Sequence, residues 1–182
     1  MLISLLIIDY DTVSAQSVFP IKLNSISGDP VVLTPQKAFP FTVFIFLLPD
    51  CPACQSYTLT LKKLFEKFSQ SGIRFIGVFA GKYSKEKEMN EFESGYQLPF
   101  PLYVDKNHDL IRKLDVHVSP EVVTIDQSGT VSYRGRIDDW MYAVGKKRTV
   151  IRHHDLENAL RSISDGKKPD PDKTVPVGCI IE

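Results

Sequence analysis

Residues 41–48 read Phe-Thr-Val-Phe-Ile-Phe-Leu-Leu, an almost unbroken apolar run. Such a run predicts a central strand covered on both faces. Further on, Leu61, Leu64, Phe65 and Phe68 recur at helical spacing, while Lys62, Lys63, Glu66 and Lys67 take the opposite side. That pattern predicts an amphipathic helix, closed by Ser71-Gly72 as a left-handed cap. Residues 73–79 form a second apolar run. Strand, helix, strand implies a parallel pair joined by a right-handed crossover.

The flanking pattern completes an α/β chain with a central mixed sheet and helices around it. Residues 19–23 and 31–33 are short extended pieces around the turn cluster Ser27-Gly28-Asp29-Pro30. They predict an N-terminal hairpin. Residues 84–96 are charged, with Met89 and Phe92 as apolar anchors, and predict a helix. A short strand follows at 102–104, and Leu110, Ile111 and Leu114 mark a short helix. Residues 121–125 and 130–134 predict two strands joined by the turn Asp126-Gln127-Ser128-Gly129. Leu156, Ala159, Leu160 and Ile163 mark a last helix. We therefore expect one domain over residues 16–164. After Ser164 the chain turns to Asp-Gly-Lys-Lys-Pro-Asp-Pro-Asp-Lys and closes on Val-Pro-Val-Gly-Cys-Ile-Ile-Glu. Too little apolar area is available there to order it, so 165–182 is expected to be a flexible tail with a terminal Gly-Cys motif.

Residues 1–8 are an apolar run too short to cross a bilayer but of the length of a secretory signal core. Val13-Ser14-Ala15 before Gln16 supplies the small residues of a cleavage site. No Lys or Arg precedes the run, and Asp9 and Asp11 follow it, so a first β-strand is the competing reading. We expect 1–15 to be a signal peptide, with a periplasmic or other extracytoplasmic destination and no stable membrane insertion. Lys plus Arg and Asp plus Glu both number 22, so the net charge is zero. Without excess positive charge to condense on phosphates, nucleic acid is excluded as a main partner.

Chemistry concentrates in the cysteines, of which there are three. Cys51-Pro52-Ala53-Cys54 falls between the buried strand and the amphipathic helix. No second such pair or spaced His pair completes a zinc site. A helix start offers unpaired N–H groups and partial positive charge, which favour thiolate over thiol. Cys51 is therefore the expected nucleophile, Pro52 suits the first helical position, and Cys54, one turn in, is placed to attack a mixed disulfide on Cys51. The alternative is two structural thiols in a core. Ser119-Pro120 precedes a predicted strand, where a proline belongs at the first residue. A cis bond there, beside the cysteine loop, would leave the backbone of Val118 and Ser119 free to pair with an extended substrate.

Strand, Cys-x-x-Cys, helix, strand, then Ser-Pro before a hairpin resembles the thioredoxin fold. The N-terminal hairpin and the 84–96 insertion resemble its redoxin branch, which holds the alkyl-hydroperoxide-reductase/thiol-specific-antioxidant proteins and exported bacterial thiol–disulfide oxidoreductases. The stretch Tyr133-Arg-Gly-Arg-Ile-Asp-Asp139 and the closing Val-Gly-Cys-Ile are similar to an exported redoxin subgroup. The resemblance implies Cys51 as attacking thiol, Cys54 as resolving thiol and Pro120 as cis-proline. It also implies protein thiols or disulfides as substrates, an upstream thiol donor or acceptor, and no organic cofactor or metal.

This chain departs from the family in places. Peroxiredoxins carry Thr three residues before the peroxidatic cysteine; here it is Leu48, which weighs against peroxidase activity. Thioredoxin's buried acid on the preceding strand has no counterpart in 41–48, Tyr57 stands where some exported reductases carry Glu, and Asp50 replaces an aromatic. The direction of catalysis stays open. Cys179 has three readings: a third redox thiol exchanging with Cys51, half of an intermolecular disulfide, or a docked apolar residue. His117 and His153-His154 raise a copper(I)-binding assembly factor as a non-enzymatic alternative, though adjacent histidines point to different sides of a helix start. Asp138-Asp139-Trp140 is either a partner-docking loop or a turn, and Lys146-Lys147-Arg148 reads as a solvated patch.

Overall fold

The computed structural model describes residues 17–182. The expected signal segment therefore lies outside the described residues. In chain order the elements are β1 (Ile21–Asn24), β2 (Pro30–Leu33), β3 (Phe41–Leu47), α1 (Pro52–Phe68), β4 (Ile73–Phe79), α2 (Glu86–Tyr96), β5 (Leu102–Val104) and α3 (Asp109–Lys113). They continue with β6 (Val118–Ser119), β7 (Glu121–Asp126), β8 (Val131–Gly135), β9 (Met141–Ala143), β10 (Lys146–Lys147), α4 (Asp155–Ser164) and β11 (Cys179–Ile180).

Seven strands form one sheet in the order β2-β1-β5-β4-β3-β7-β8. The parallel β3–β4 pair runs from Phe41 opposite Ile73 to Leu47 opposite Phe79. β7 adds antiparallel on the other side of β3, so β3 is interior, as its apolar run requires. Alternate residues feed two cores. Val43, Ile45 and Leu47 face one that includes Leu61, Leu64 and Phe68 of α1, Met89 and Phe92 of α2, and Leu156 and Leu160 of α4. Phe44 and Phe46 face the other, with Leu110 and Ile111 of α3 and Ile21 and Leu23 of β1. All five of these β3 side chains are fully buried. This period-two division is why the run carries almost no polar residue.

Residues 165–182 correct the expectation of a flexible tail. The Arg134 N–H donates to Asp172 O at 3.0 Å, and the Thr174 N–H donates to Arg134 O at 3.0 Å. The Thr174 hydroxyl lies 2.8 Å from Tyr133 Oη and accepts from Arg136 N–H at 3.0 Å. Gly135, at φ 135°, makes this approach possible: a Cβ there would overlap Thr174. β11 then pairs antiparallel with β6. Composition counts apolar side chains, whereas this segment is held also through its backbone, one hydroxyl and a bond from Cys179.

Candidate functional site

Cys51 is the N-cap of α1, with extended backbone and no side-chain cap, and Pro52 opens the helix. The proline lacks the N–H that a helix start would leave unpaired. Cys51 N–H donates to Leu48 O at 3.2 Å, and Cys51 O accepts from Gln55 N–H at 3.1 Å. The sulfur is thus fixed where the helix dipole favours negative charge. Cys54 is one turn further along the buried face and is 0% exposed.

The sulfurs are not joined to each other. Cys51 is bonded to Cys179, 128 residues away in sequence, and Cys54 is a free buried thiol. Both meet Ser119: Cys51 Sγ lies 3.5 Å from its carbonyl oxygen, and Cys54 Sγ lies 2.9 Å from its hydroxyl. The Ser119–Pro120 bond is cis, and Ser119 is 0% exposed. The Leu48 N–H also points at Cys54 Sγ, at 3.4 Å. Burial pushes the Cys54 thiol up to about 11, against hydrogen bonds from Ser119 and Leu48 that favour the thiolate.

The strand edge of Val118 and Ser119 is occupied by the chain's own tail. Cys179 sits opposite Ser119, Ile180 opposite Val118, and Ile181 N–H donates to His117 O at 2.9 Å. Of the three readings of Cys179, docking alone and an intermolecular bond give way to a disulfide within the chain. Beside this strand lies a cavity of about 320 Å³, lined by Leu48, Asp50, Cys51, Tyr83, Glu88 and His108 together with the tail. Burial holds the His108 imidazole below its ordinary value.

Asp138-Asp139-Trp140 is an internal turn rather than a docking loop. Asp138 is 2% and Asp139 3% exposed. Tyr57 Oη donates to Asp138 Oδ1 at 2.7 Å and accepts from Met141 N–H at 3.3 Å. Trp140 meets Tyr57 edge-on, with centroids 5.5 Å apart. Burial pushes the Asp138 carboxyl up, and Oδ2 has no hydrogen-bond partner among the described residues. Burial also works against the charge of Asp139, but N–H donors of His153 and Arg152 and the Arg148 guanidinium more than offset it and hold the carboxyl below its ordinary range. Lys146-Lys147-Arg148 is accordingly more than a solvated patch: Lys147 Nζ lies 4.4 Å from the Trp140 ring centroid, and Arg148 reaches Asp139. The sequence singled out Tyr57 by position but missed its partner, because 81 residues separate them. Tyr57→Phe is expected to destabilise the protein by about 1–3 kcal/mol, since Asp138 and the Met141 N–H lose a buried partner. Urea melts check this; an unmoved midpoint would remove the pair from the packing argument.

The histidines are dispersed. His117 Nε2 lies 2.8 Å from Asp115, and His154 caps α4. Among the described residues no group of three His, Cys, Asp or Glu is close enough to hold a metal ion. None of the described helices is long and apolar enough to cross a membrane.

The AhpC/TSA family profile matches residues 13–134. Peroxiredoxin Q, chloroplastic, of Sedum lineare is 26% identical over 97 residues, covering 53% of this chain and 50% of that protein. The thiol-disulfide oxidoreductase ResA of Halalkalibacterium halodurans is 26% identical over 81 residues, 44% of this chain and 45% of that one. The chain thus spans about half the length of the curated relatives it matches. A secreted Mycobacterium tuberculosis disulfide oxidoreductase, described as homologous to E. coli DsbE, superposes with a TM-score of 0.52 at 21% identity, over 63% of this chain and 81% of that one. At that identity the likeness is one of fold.

Proposed function

Because the chain belongs to the AhpC/TSA family, we propose that its activity is thiol–disulfide exchange with protein substrates, with Cys51 as the attacking thiol. One observation carries this reading. Cys51, at a helix N-terminus, is covalently joined to a cysteine in an extended segment paired antiparallel with the strand before Pro120. That is the arrangement of a thiol enzyme holding a peptide through a mixed disulfide.

In the reducing direction, the Cys51 thiolate attacks one sulfur of a substrate disulfide. The substrate S–S bond breaks, a mixed disulfide forms, and the departing thiolate takes a proton from solvent. Cys54 then loses its proton and attacks Cys51, forming the Cys51–Cys54 disulfide and releasing the second substrate thiol. Two electrons pass from the cysteine pair to the substrate, and an upstream thiol must restore them. Val118, Ser119 and Pro120 hold the substrate backbone, and Pro52 sets the helix start that presents Cys51. No organic cofactor enters. An extracytoplasmic site of action fits the apolar run and small residues at 1–15 and the secreted relative.

The decisive experiment combines insulin reduction, glutathione equilibration and hydrogen-peroxide consumption on one preparation. A Cys51-dependent reductase activity is expected. A potential near about −270 mV marks a reductant and one near about −120 mV an oxidant. Rapid peroxide consumption with no exchange would instead favour the peroxidase reading that peroxiredoxin Q raises, against which Leu48 stands. Tight copper(I) binding without exchange would favour the assembly-factor reading.

The buried Cys54 thiol sets a pH dependence. With its pKa pushed up to about 11, little thiolate exists at neutral pH. The rearrangement from Cys51–Cys179 to Cys51–Cys54 is therefore expected to accelerate about tenfold per pH unit from 7 to 10, following the thiolate fraction. Acid quenching, alkylation and disulfide mapping measure it. A pH-independent rate would remove Cys54 as the attacking group.

A further inference from the structure

We propose that the groove beside Cys51 selects cysteine peptides of one pattern, glycine immediately before the cysteine and a branched aliphatic residue two after it, and that residues 177–181 are a tethered copy of that pattern closing the site. The proposal rests on the oxidoreductase reading and adds its substrate class.

Each position of the tail reports a constraint. Gly178 packs against the backbone that ends at Pro120: a Cβ there would overlap the Ser119 carbonyl oxygen, sit 2.5 Å from its carbon and lie 3.0 Å from Pro120 N. These are main-chain atoms of a buried strand, so they cannot yield as a flexible side chain would. Cys179 is fixed in register opposite Ser119. Ile180 points outward and is 75% exposed, so the position after the cysteine is unconstrained. The chain stays extended, and the Ile181 N–H reaches His117 O at 2.9 Å. The Ile181 side chain packs against the core that holds Phe44, Phe46 and Leu110. Val177, on the other side of the cysteine, packs against the opposite core. Read along the extended chain, these contacts give glycine, cysteine, any residue, aliphatic. Nothing else in residues 165–182 has this pattern, and it falls at the cysteine bonded to Cys51.

The chemistry balances in both uses of the groove. Attack of Cys51 on the cysteine sulfur of a substrate disulfide breaks that S–S bond, forms the Cys51–peptide disulfide and expels the other sulfur as a thiolate, which takes up a proton. For the tail, attack of the Cys54 thiolate on Cys51 forms Cys51–Cys54 and expels Cys179, which is then protonated, with no net oxidation. The groove opens only once Cys179 is released.

The test uses the full chain carrying Cys54→Ser and Cys179→Ser, which leaves Cys51 as its sole thiol. The probe is the peptide Val-Gly-Cys-Ile-Ile-Glu, activated as a mixed disulfide with thionitrobenzoate. Chromophore release gives the rate, and mass spectrometry identifies the Cys51–peptide adduct. Valine in place of the peptide glycine, or lysine two residues after the cysteine, is expected to slow adduct formation at least about tenfold. Lysine immediately after the cysteine is expected to leave the rate within about twofold, since that position faces solvent. Equal rates for all four peptides overturn the proposal, and so does a loss confined to the outward position. Glutathione disulfide run in parallel separates the two readings. Reaction of Cys51 with glutathione but without peptide discrimination fails only the selectivity, whereas no reaction with glutathione or any peptide fails the oxidoreductase reading itself.

Discussion

Replacing Cys51 with Ser is expected to reduce thiol–disulfide turnover by about 10³-fold or more, because a hydroxyl at pH 7 supplies no anionic nucleophile and only binding contacts are left. The same change frees Cys179, which alkylating reagents should then label while the fold is unchanged by circular dichroism. Cys54→Ser should behave differently. Made in a Cys179→Ser background, so that the tail thiol can neither hold nor resolve Cys51, it leaves Cys51 able to attack, and a mixed disulfide with substrate should form and persist because Cys54 is absent. Trapping with intact, disulfide-bonded insulin, followed by non-reducing electrophoresis, distinguishes the two variants. If Cys51→Ser retained turnover and Cys54→Ser lost it, the assignment of attacking and resolving sulfurs would be reversed.

The second large effect is on stability. The Cys51–Cys179 bond closes a loop of 128 residues, and the chain-entropy model assigns about 4–5 kcal/mol to a closure of that size. Dithiothreitol is expected to lower the urea midpoint of the wild-type chain by about 2 M, taking a slope near 2 kcal/mol per molar for a domain of this size. Cys179→Ser should melt near the reduced wild-type position with or without reductant, because a Cys51–Cys54 bond closes too short a loop to constrain the unfolded chain comparably. A wild-type midpoint that ignored dithiothreitol would mean that the tail bond adds nothing to the fold.

Both predictions depend on a bond that the amino-acid pattern left undecided. Cys-x-x-Cys at a strand–helix junction points to Cys51 as the sulfur we propose to be reactive, because the helix start supplies the local field whatever the rest of the chain does. It does not select the partner. Cys54 is the near candidate by sequence, yet its thiol is buried and bonded to Ser119, while a segment read as too polar to fold delivers Cys179 to Cys51. What brings it there is the Thr174 clamp on β8 and the β6–β11 pairing. Main-chain hydrogen bonds of that kind leave no trace in hydrophobic periodicity.

Asp138 teaches the same lesson in another place. Two adjacent acids before a tryptophan read as a docking loop or a turn, because carboxylates are seldom buried without partners. Asp138 finds its partner in Tyr57 on α1, far away in sequence, and Asp139 in the guanidinium of Arg148, across the β9–β10 hairpin. By contrast, the alternation in 41–48, the helical spacing in 61–68 and the turn before 130 are local physics. They were sufficient to lay out the hairpin, the parallel strand pair and the helix that carries Cys51. The sequence by itself laid out the main strands and helices, the two-sided sheet and the cysteine we propose as reactive, because each depends on neighbours within a few residues. Only the tertiary structure decided which sulfur Cys51 holds, what occupies the groove beside Pro120 and that Asp138 finds its donor in Tyr57, because each of these joins groups that the chain keeps tens of residues apart.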